Sequence, residues 1–163
     1  MSDSAIQIDG LVHVGLNVSD PVSAARWYCD ILGMKEIVTG YDSHHEAAVF
    51  LSFGERHHDI VLIKAKNTQS VKSGDVGMHH AAFSIRGGLD ALRRLYGRLL
   101  KHDVEVFKIA DHAVGIGIYF FDPDGNKLEF FHDMYPDAKG REGQKILREQ
   151  GAPTIPVDLE PVY

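Results

Sequence analysis

The chain has 163 residues, of which 44% are hydrophobic and 25% charged, and its formal net charge is −6 at pH 7. This composition is that of an ordinary globular protein of about one domain, and it excludes a disordered chain. Nucleic-acid binding depends on clustered lysines and arginines, so the acidic balance argues against nucleic acid and favours a small-molecule ligand.

The first ten residues, MSDSAIQIDG, have neither the basic region nor the apolar region of a secretory signal. No later run approaches the roughly 20 apolar residues that are needed to cross a bilayer. We therefore expect a cytoplasmic protein that does not associate with membranes.

The first predicted module begins with residues 11–18, LVHVGLNV, which alternate as a half-buried strand does. Asp20 and Pro21 then resemble a helix N-cap and first helical position, and apolar residues recur at helical spacing until Gly33. Three further strands are predicted at Lys35 to Thr39, Ala47 to Phe53 and Asp59 to Ile63. The order of this module is βαβββ.

The second predicted module repeats that order after a polar linker, KNTQSVKSGDVG. The strand HHAAFSI comes first, and leucines at helical spacing follow it. Three strands are then predicted at Val104 to Ile109, Ile116 to Phe121 and Lys127 to Phe131, with a DPDGN turn before the last. Because one such unit cannot bury its sheet alone, the repeat predicts pairing.

The predicted fold is therefore α+β, with two paired βαβββ modules that form a curved mixed sheet around a cavity. We place the modules at about residues 9–64 and 77–132, inside one domain of residues 1–132. Residues 133–163 form a polar, proline-bearing tail with one predicted helix near Ala138 to Glu149. No chemistry is assigned to the tail.

Two histidines occupy equivalent places in the repeat. His13 lies opposite the bulky apolar face of its strand and beside Gly15, and His80 lies opposite Ala81 and beside Ala82. A pseudo-twofold axis would bring the two imidazoles to the same point. The neighbouring His79 would exchange faces with His80 if the strand register slipped by one residue, and the match of the repeats favours His80.

Glu129 lies between Leu128 and Phe130 in the last predicted strand, where an ionised carboxylate is costly unless a positive charge pairs with it. Two histidines and one carboxylate form a facial triad, which suits Fe(II), while Mn(II) or another divalent metal is an alternative. Singly, each residue has an ordinary structural explanation, such as pairing of Glu129 with Lys127. Together, His13, His80 and Glu129 predict that the cavity binds a metal.

The motifs HVGLNVSD, WYCDILGM, HHAAFSI and YFFDPDGNKLEFF resemble the vicinal-oxygen-chelate superfamily, also called the glyoxalase/bleomycin resistance/dioxygenase superfamily. This superfamily includes glyoxalases, metal-dependent epimerases, drug-binding resistance proteins and extradiol ring-cleaving dioxygenases. The resemblance covers about residues 9–132.

Two further motifs resemble the catechol 2,3-dioxygenase-like branch of type I extradiol dioxygenases. They are the dipeptide His58-Asp59, and His112 followed by IYFFDPDGN and Glu129. The resemblance implies Fe(II) ligation by His13, His80 and Glu129, and catalytic roles for His58, His112 and Tyr119. It also implies an aromatic diol and dioxygen as substrates, and a place in aromatic compound catabolism.

Two other functions remain open from the sequence. A glyoxalase-like lyase, isomerase or epimerase usually has a fourth metal ligand in the first module, but the strand from Asp59 to Ile63 has no such glutamate. A metal-free module that binds an aromatic drug would not need His13, His80 and Glu129 together. An exposed strand edge would also suit a homo-oligomer such as a dimer.

Overall fold

The computed structural model describes residues 10–41, 47–67, 76–137 and 140–163. The chain divides into two compact units, Met1–Thr68 and Gln69–Tyr163. In the described residues these contain a four-stranded sheet, a five-stranded sheet and three helices. The predicted α+β class and the repeated βαβββ order are confirmed.

The first unit consists of one mixed sheet and one helix. Its elements are β1 (Val14–Val18), α1 (Pro21–Leu32), β2 (Lys35–Tyr41), β3 (Ala47–Ser52) and β4 (Ile60–Lys64). The strand order is β1-β4-β3-β2, and only β1 and β4 pair in parallel. Within β1 the predicted alternation holds, because Leu16 and Val18 are buried whereas Gly15 and Asn17 are exposed. His13 immediately precedes this strand.

Helix α1 begins and ends where the sequence predicts. The Asp20 carboxylate accepts hydrogen bonds from the backbone N–H groups of Val22 and Ser23, at 3.0 and 3.2 Å. Pro21 occupies the first turn, where it removes no helical hydrogen bond. Gly33 ends the helix in a left-handed conformation with φ of 71°, which glycine adopts without the steric cost of a Cβ.

The second unit repeats the pattern and adds a helix and a short strand. Its elements are β5 (Ala81–Ser84), α2 (Gly88–Lys101), β6 (Val106–Asp111), β7 (Gly115–Phe121), β8 (Lys127–Asp133), α3 (Arg141–Gln150) and β9 (Ile155–Pro156). The strand order is β5-β8-β7-β6-β9. Strand β6 begins two residues later than predicted, beside a register irregularity between Val106 and Lys108. Residues 68–75 of the predicted linker lie outside the described residues.

The C-terminal tail is part of the second unit. Strand β9 pairs with the outer strand β6, through Ala110 with Pro156 and Asp111 with Ile155. Further on, the Val162 N–H donates to the backbone carbonyl of Arg93 in α2. The predicted tail helix is α3, and positions 138 and 139 of that prediction lie outside the described residues.

Gly97 in α2 provides a test of this docking. A Cβ at Gly97 would lie 2.1 Å from the carbonyl oxygen of Val162, a backbone atom that cannot rotate away. Glycine to alanine inside a helix normally stabilises a protein by about 0.5–1 kcal/mol. We expect Gly97→Ala instead to destabilise this chain, by about 1–3 kcal/mol, because the added methyl overpacks the contact.

The measurement is equilibrium unfolding in urea. Gly143→Ala in α3 is the matched control, because its Cβ would meet neighbours only at 3.8 and 3.9 Å. That control should leave stability unchanged or raise it slightly. Equal stabilisation by both variants would mean that the tail is not packed on Gly97.

Within the described parts of the chain, no helix has the length and apolar character to span a bilayer. The longest of these helices, α2, has 14 residues. The cytoplasmic location and the homo-oligomeric state stay predictions.

Candidate active site

Glu129 is a buried acidic residue in β8, the strand between β5 and β7 in the second sheet. It is 3% exposed and lies in β8 between the equally buried Leu128 and Phe130. Its neighbours across the sheet are Ala82 in β5 and Tyr119 in β7. Glu129 Oε1 has no hydrogen-bond partner among the described residues. An unpaired buried carboxylate oxygen costs free energy unless a positively charged ligand compensates it.

Gly117 makes the space that this carboxylate occupies. It lies in β7, two residues before Tyr119 and on the same face of the sheet. A Cβ at Gly117 would lie 2.1 Å from Glu129 Oε1 and 2.9 Å from Tyr119 Cε2. The space beside Tyr119 therefore holds the Glu129 side chain.

His80 is the histidine that contacts Glu129. Its Nε2 lies 2.9 Å from Glu129 Oε2, and its side chain is 30% exposed. His80 precedes β5, in which Ala81 is buried and Ala82 is exposed, so His80 shares the face of Ala82 as predicted. The exposed His79 contacts His80 through the two Nδ1 atoms, at 2.7 Å. The register therefore directs His80 towards the carboxylate.

Tyr119 and His112 form a hydrogen-bonded pair, and His112 also contacts the C-terminal tail. The Tyr119 hydroxyl lies 2.8 Å from His112 Nε2, and His112 Nδ1 lies 2.7 Å from the carbonyl oxygen of Pro153. A carbonyl oxygen only accepts hydrogen bonds, so His112 Nδ1 carries a hydrogen. In a neutral imidazole Nε2 is then bare, and the Tyr119 hydroxyl donates to it.

The environment of Tyr119 keeps its phenol protonated. Burial is the main reason why the pKa of Tyr119 lies well above its usual value, and the Glu129 carboxylate raises this pKa further. The ring of His80 packs edge-on against Tyr119, with centroids 5.5 Å apart. The Lys108 ammonium lies 3.6 Å from the centroid of the Tyr119 ring, a cation–π contact.

The turn before β8 is built as the sequence predicts. The buried Asp122 accepts hydrogen bonds from the N–H groups of Asp124 and Asn126, at 3.0 and 2.7 Å. Gly125 has φ of 83° and donates its N–H to the Asp122 carbonyl. These bonds fix the start of β8 at Lys127, two residues before Glu129.

The first unit holds its own histidine cluster. His58 Nε2 lies 3.1 Å from His13 Nδ1, and His58 Nδ1 lies 2.6 Å from His57 Nδ1. The Val14 N–H donates to the carbonyl of Asp59, which joins the residues next to His13 and His58. Two of the predicted site residues, His13 and His58, therefore contact each other within this unit.

The Asp59 carboxylate has a structural function in this cluster. It accepts hydrogen bonds from the Ser52 hydroxyl and the Phe53 N–H, which ties the loop before β4 to the end of β3. The pKa of His58 is lowered, first by burial and then by His57 and His13. These contacts favour the neutral form of the His58 imidazole.

The six predicted site residues thus fall into three contacting pairs: His13 with His58, His80 with Glu129, and His112 with Tyr119. No group of three or more His, Cys, Asp or Glu side chains suited to a metal occurs among the residues that the structure describes. His13 belongs to the first unit, and His80 and Glu129 belong to the second.

Two groups that contact the predicted site residues were not identified from the sequence: the Lys108 ammonium and the Pro153 carbonyl. Lys108 would be recognised only from its register opposite Tyr119, and the irregularity in β6 obscures that register in the sequence. The Pro153 carbonyl is a backbone group, so no residue type indicates it.

Two relatives that are named as dioxygenases are similar to more than nine-tenths of this chain. "Biphenyl-2,3-diol 1,2-dioxygenase 2" of Rhodococcus globerulus is 29% identical over 92% of this chain and 76% of its own length. "Catechol-2,3-dioxygenase" of Bacillus subtilis is 26% identical over 91% of this chain. The chain spans only half of that second relative.

Solved structures share the fold. A glyoxylase/bleomycin resistance protein/dioxygenase domain from Frankia sp. EAN1pec has a TM-score of 0.65 and 28% identity, over 78% of this chain and 99% of its own. The fosfomycin resistance protein FosX from Listeria monocytogenes, in complex with Mn(II), has a TM-score of 0.59 and 23% identity, over 77% and 93%. The family model that matches residues 10–130 covers most of the chain. The chain therefore belongs to the glyoxalase/bleomycin resistance protein/dioxygenase superfamily.

Proposed function

We propose that this protein is an Fe(II)-dependent extradiol ring-cleaving dioxygenase that acts on a catechol-type aromatic diol with dioxygen. The observation that carries the proposal is the buried Glu129 carboxylate, with one oxygen at His80 and the other without a partner among the described residues. The relatives support the choice of reaction, because those at 26–29% identity are named as dioxygenases of biphenyl-2,3-diol and catechol.

The metal ligands in this proposal are His80, Glu129 and His13. The donor set of two imidazoles and a carboxylate fits Fe(II) and leaves coordination positions open. A divalent cation would also compensate the unpaired Glu129 oxygen, which His80 alone does not reach. Within the first unit, a hydrogen on His13 Nδ1 would be donated to His58 and would leave His13 Nε2 as the metal-binding nitrogen.

When bound, Fe(II) supplies a chelating position for both diol oxygens and an electron path between the diol and dioxygen. The protein side chains manage the protons. His58 would accept a proton from a diol hydroxyl, a role that its lowered pKa favours because the imidazole is then neutral. In the second unit, the Tyr119 phenol would hold a substrate oxygen, and His112 accepts the phenolic hydrogen bond.

The space at Gly117 gives the first prediction for this site. We expect Gly117→Ala to weaken Fe(II) binding by about 10–100-fold, because the added methyl must push the Glu129 carboxylate away from His80. Competition with a coloured chelator under anaerobic conditions measures the affinity. Gly40→Ala in β2 is the control, because its Cβ would meet nothing within 4 Å. Equal affinities of the two variants would contradict the proposed role of Glu129.

The activity test separates the proposed function from its alternatives. The full chain is loaded anaerobically with Fe(II), mixed with a panel of catechols that includes biphenyl-2,3-diol, and then exposed to oxygen. We expect a yellow ring-fission product and uptake of one dioxygen per diol. A lyase, an epimerase or a drug-binding module would show neither. A parallel sample with Mn(II), the metal in the FosX structure, tests the choice of metal.

A further inference from the structure

We propose that the backbone carbonyl of Pro153 is a positioning group of the dioxygenase site, because it holds His112 in the tautomer that accepts a hydrogen bond from Tyr119. This inference rests on the proposed function and adds the tail to the site. It assigns a role to a segment in which the sequence contains no recognisable motif.

The tail fixes the position of this carbonyl. Ala110 pairs with Pro156 and Asp111 with Ile155, and the Val157 N–H donates to the Ile109 carbonyl at 3.2 Å. Pro153 lies two residues before β9, so its carbonyl is anchored to the strand that leads directly to His112. The carbonyl then meets His112 Nδ1 at 2.7 Å.

The turn between β6 and β7 fixes the backbone of His112. Its N–H donates to the Gly115 carbonyl at 2.9 Å and closes the turn between β6 and β7. Ala113 follows with φ of 66°, a left-handed conformation that is uncommon for a residue other than glycine, and its N–H donates to the Asp111 carboxylate. The turn therefore places the ring, and the Pro153 carbonyl determines which nitrogen carries the hydrogen.

The tautomer determines the direction of the hydrogen bond at Tyr119. With the hydrogen on Nδ1, His112 accepts from the Tyr119 hydroxyl, so the phenol oxygen is left to accept a hydrogen bond from a substrate hydroxyl. With the hydrogen on Nε2, His112 would donate to the phenol, and Tyr119 would point its hydrogen outward. A protonated diol needs the first arrangement, because its hydroxyl is the donor.

Nitrogen NMR of the histidine-labelled, metal-free full chain measures the tautomer directly, and the His112→Gln variant assigns the signal. At neutral pH we expect His112 to be protonated at Nδ1 and bare at Nε2. The opposite tautomer, or the averaged signal of a solvated histidine, would overturn the proposal. Because no turnover is measured, failure of this inference and failure of the dioxygenase proposal are separate results.

Two variants test whether the Pro153 carbonyl is the group that keeps the hydrogen of His112 on Nδ1. Tyr119→Phe removes the other hydrogen-bond partner, and His112 should keep its hydrogen on Nδ1; a change of tautomer would overturn the assignment to Pro153. Val157→Pro removes the tail N–H that anchors β9, and it should shift His112 towards the averaged signal, whereas Val157→Ala keeps that N–H and the tautomer. An unchanged tautomer in a folded Val157→Pro protein would also contradict the proposal.

Discussion

Glu129→Ala is expected to weaken Fe(II) binding by about 100-fold or more while the protein stays folded. The substitution removes the carboxylate from the proposed ligand set and leaves His80 without its 2.9 Å partner. Iron content after anaerobic loading and desalting, together with chelator competition, measures the loss. A variant that retains full iron would refute the ligand assignment.

Glu129→Gln distinguishes a role of Glu129 in metal binding from a role in stabilising the fold. The amide keeps the shape of the side chain but removes a charge that is buried and only partly paired. In the metal-free state we therefore expect the Gln variant to be at least as stable as the unchanged chain, although it binds iron poorly. Urea unfolding of both metal-free proteins makes the comparison. Strong destabilisation by Gln would instead indicate that Glu129 is a structural residue.

Tyr119→Phe is expected to retain iron and to lower kcat by about 10²–10⁴-fold. The phenylalanine ring still fills the space between His80 and Lys108, so the ligands should keep their positions. The variant loses only the hydroxyl that contacts His112 and, in the proposed function, the diol. Steady-state oxygen uptake gives kcat and KM, and iron analysis of the same samples verifies the loading.

Tyr96→Phe is the matched control, because it removes a hydroxyl from another tyrosine of the second unit and should leave turnover unchanged. If Tyr119→Phe lost iron to the same extent as Glu129→Ala, the division between Glu129 as a metal ligand and Tyr119 as a substrate-binding residue would be wrong. If Tyr119→Phe kept full turnover, Tyr119 would be a packing residue only.

Local patterns were sufficient to predict the repeated βαβββ elements of both units, whereas the short strand β9 was not predicted. The cap at Asp20 and the glycine at Gly33 act through neighbours a few residues away, so the sequence marks both ends of α1. The same holds for the Asp122 turn. Alternation also placed His80 on the face of Ala82 and opposite Ala81, in agreement with the buried Ala81 and exposed Ala82 of β5.

The contacts that depend on long-range register could not be predicted. The Glu129 side chain lies in the space at Gly117 because the pairing of β7 with β8 brings the two residues together. Lys108 meets Tyr119 only through the irregular pairing of β6. The tail reaches His112 through a carbonyl that every residue type possesses.

The most direct test of the proposed metal site is an anaerobic crystal structure of the full chain with Fe(II), with anomalous scattering collected at the iron edge. We expect one iron peak at bonding distance from His13, His80 and Glu129, with its remaining positions open to solvent or diol. An iron held by other side chains, or Glu129 paired with a protein group and no iron beside it, would contradict the account.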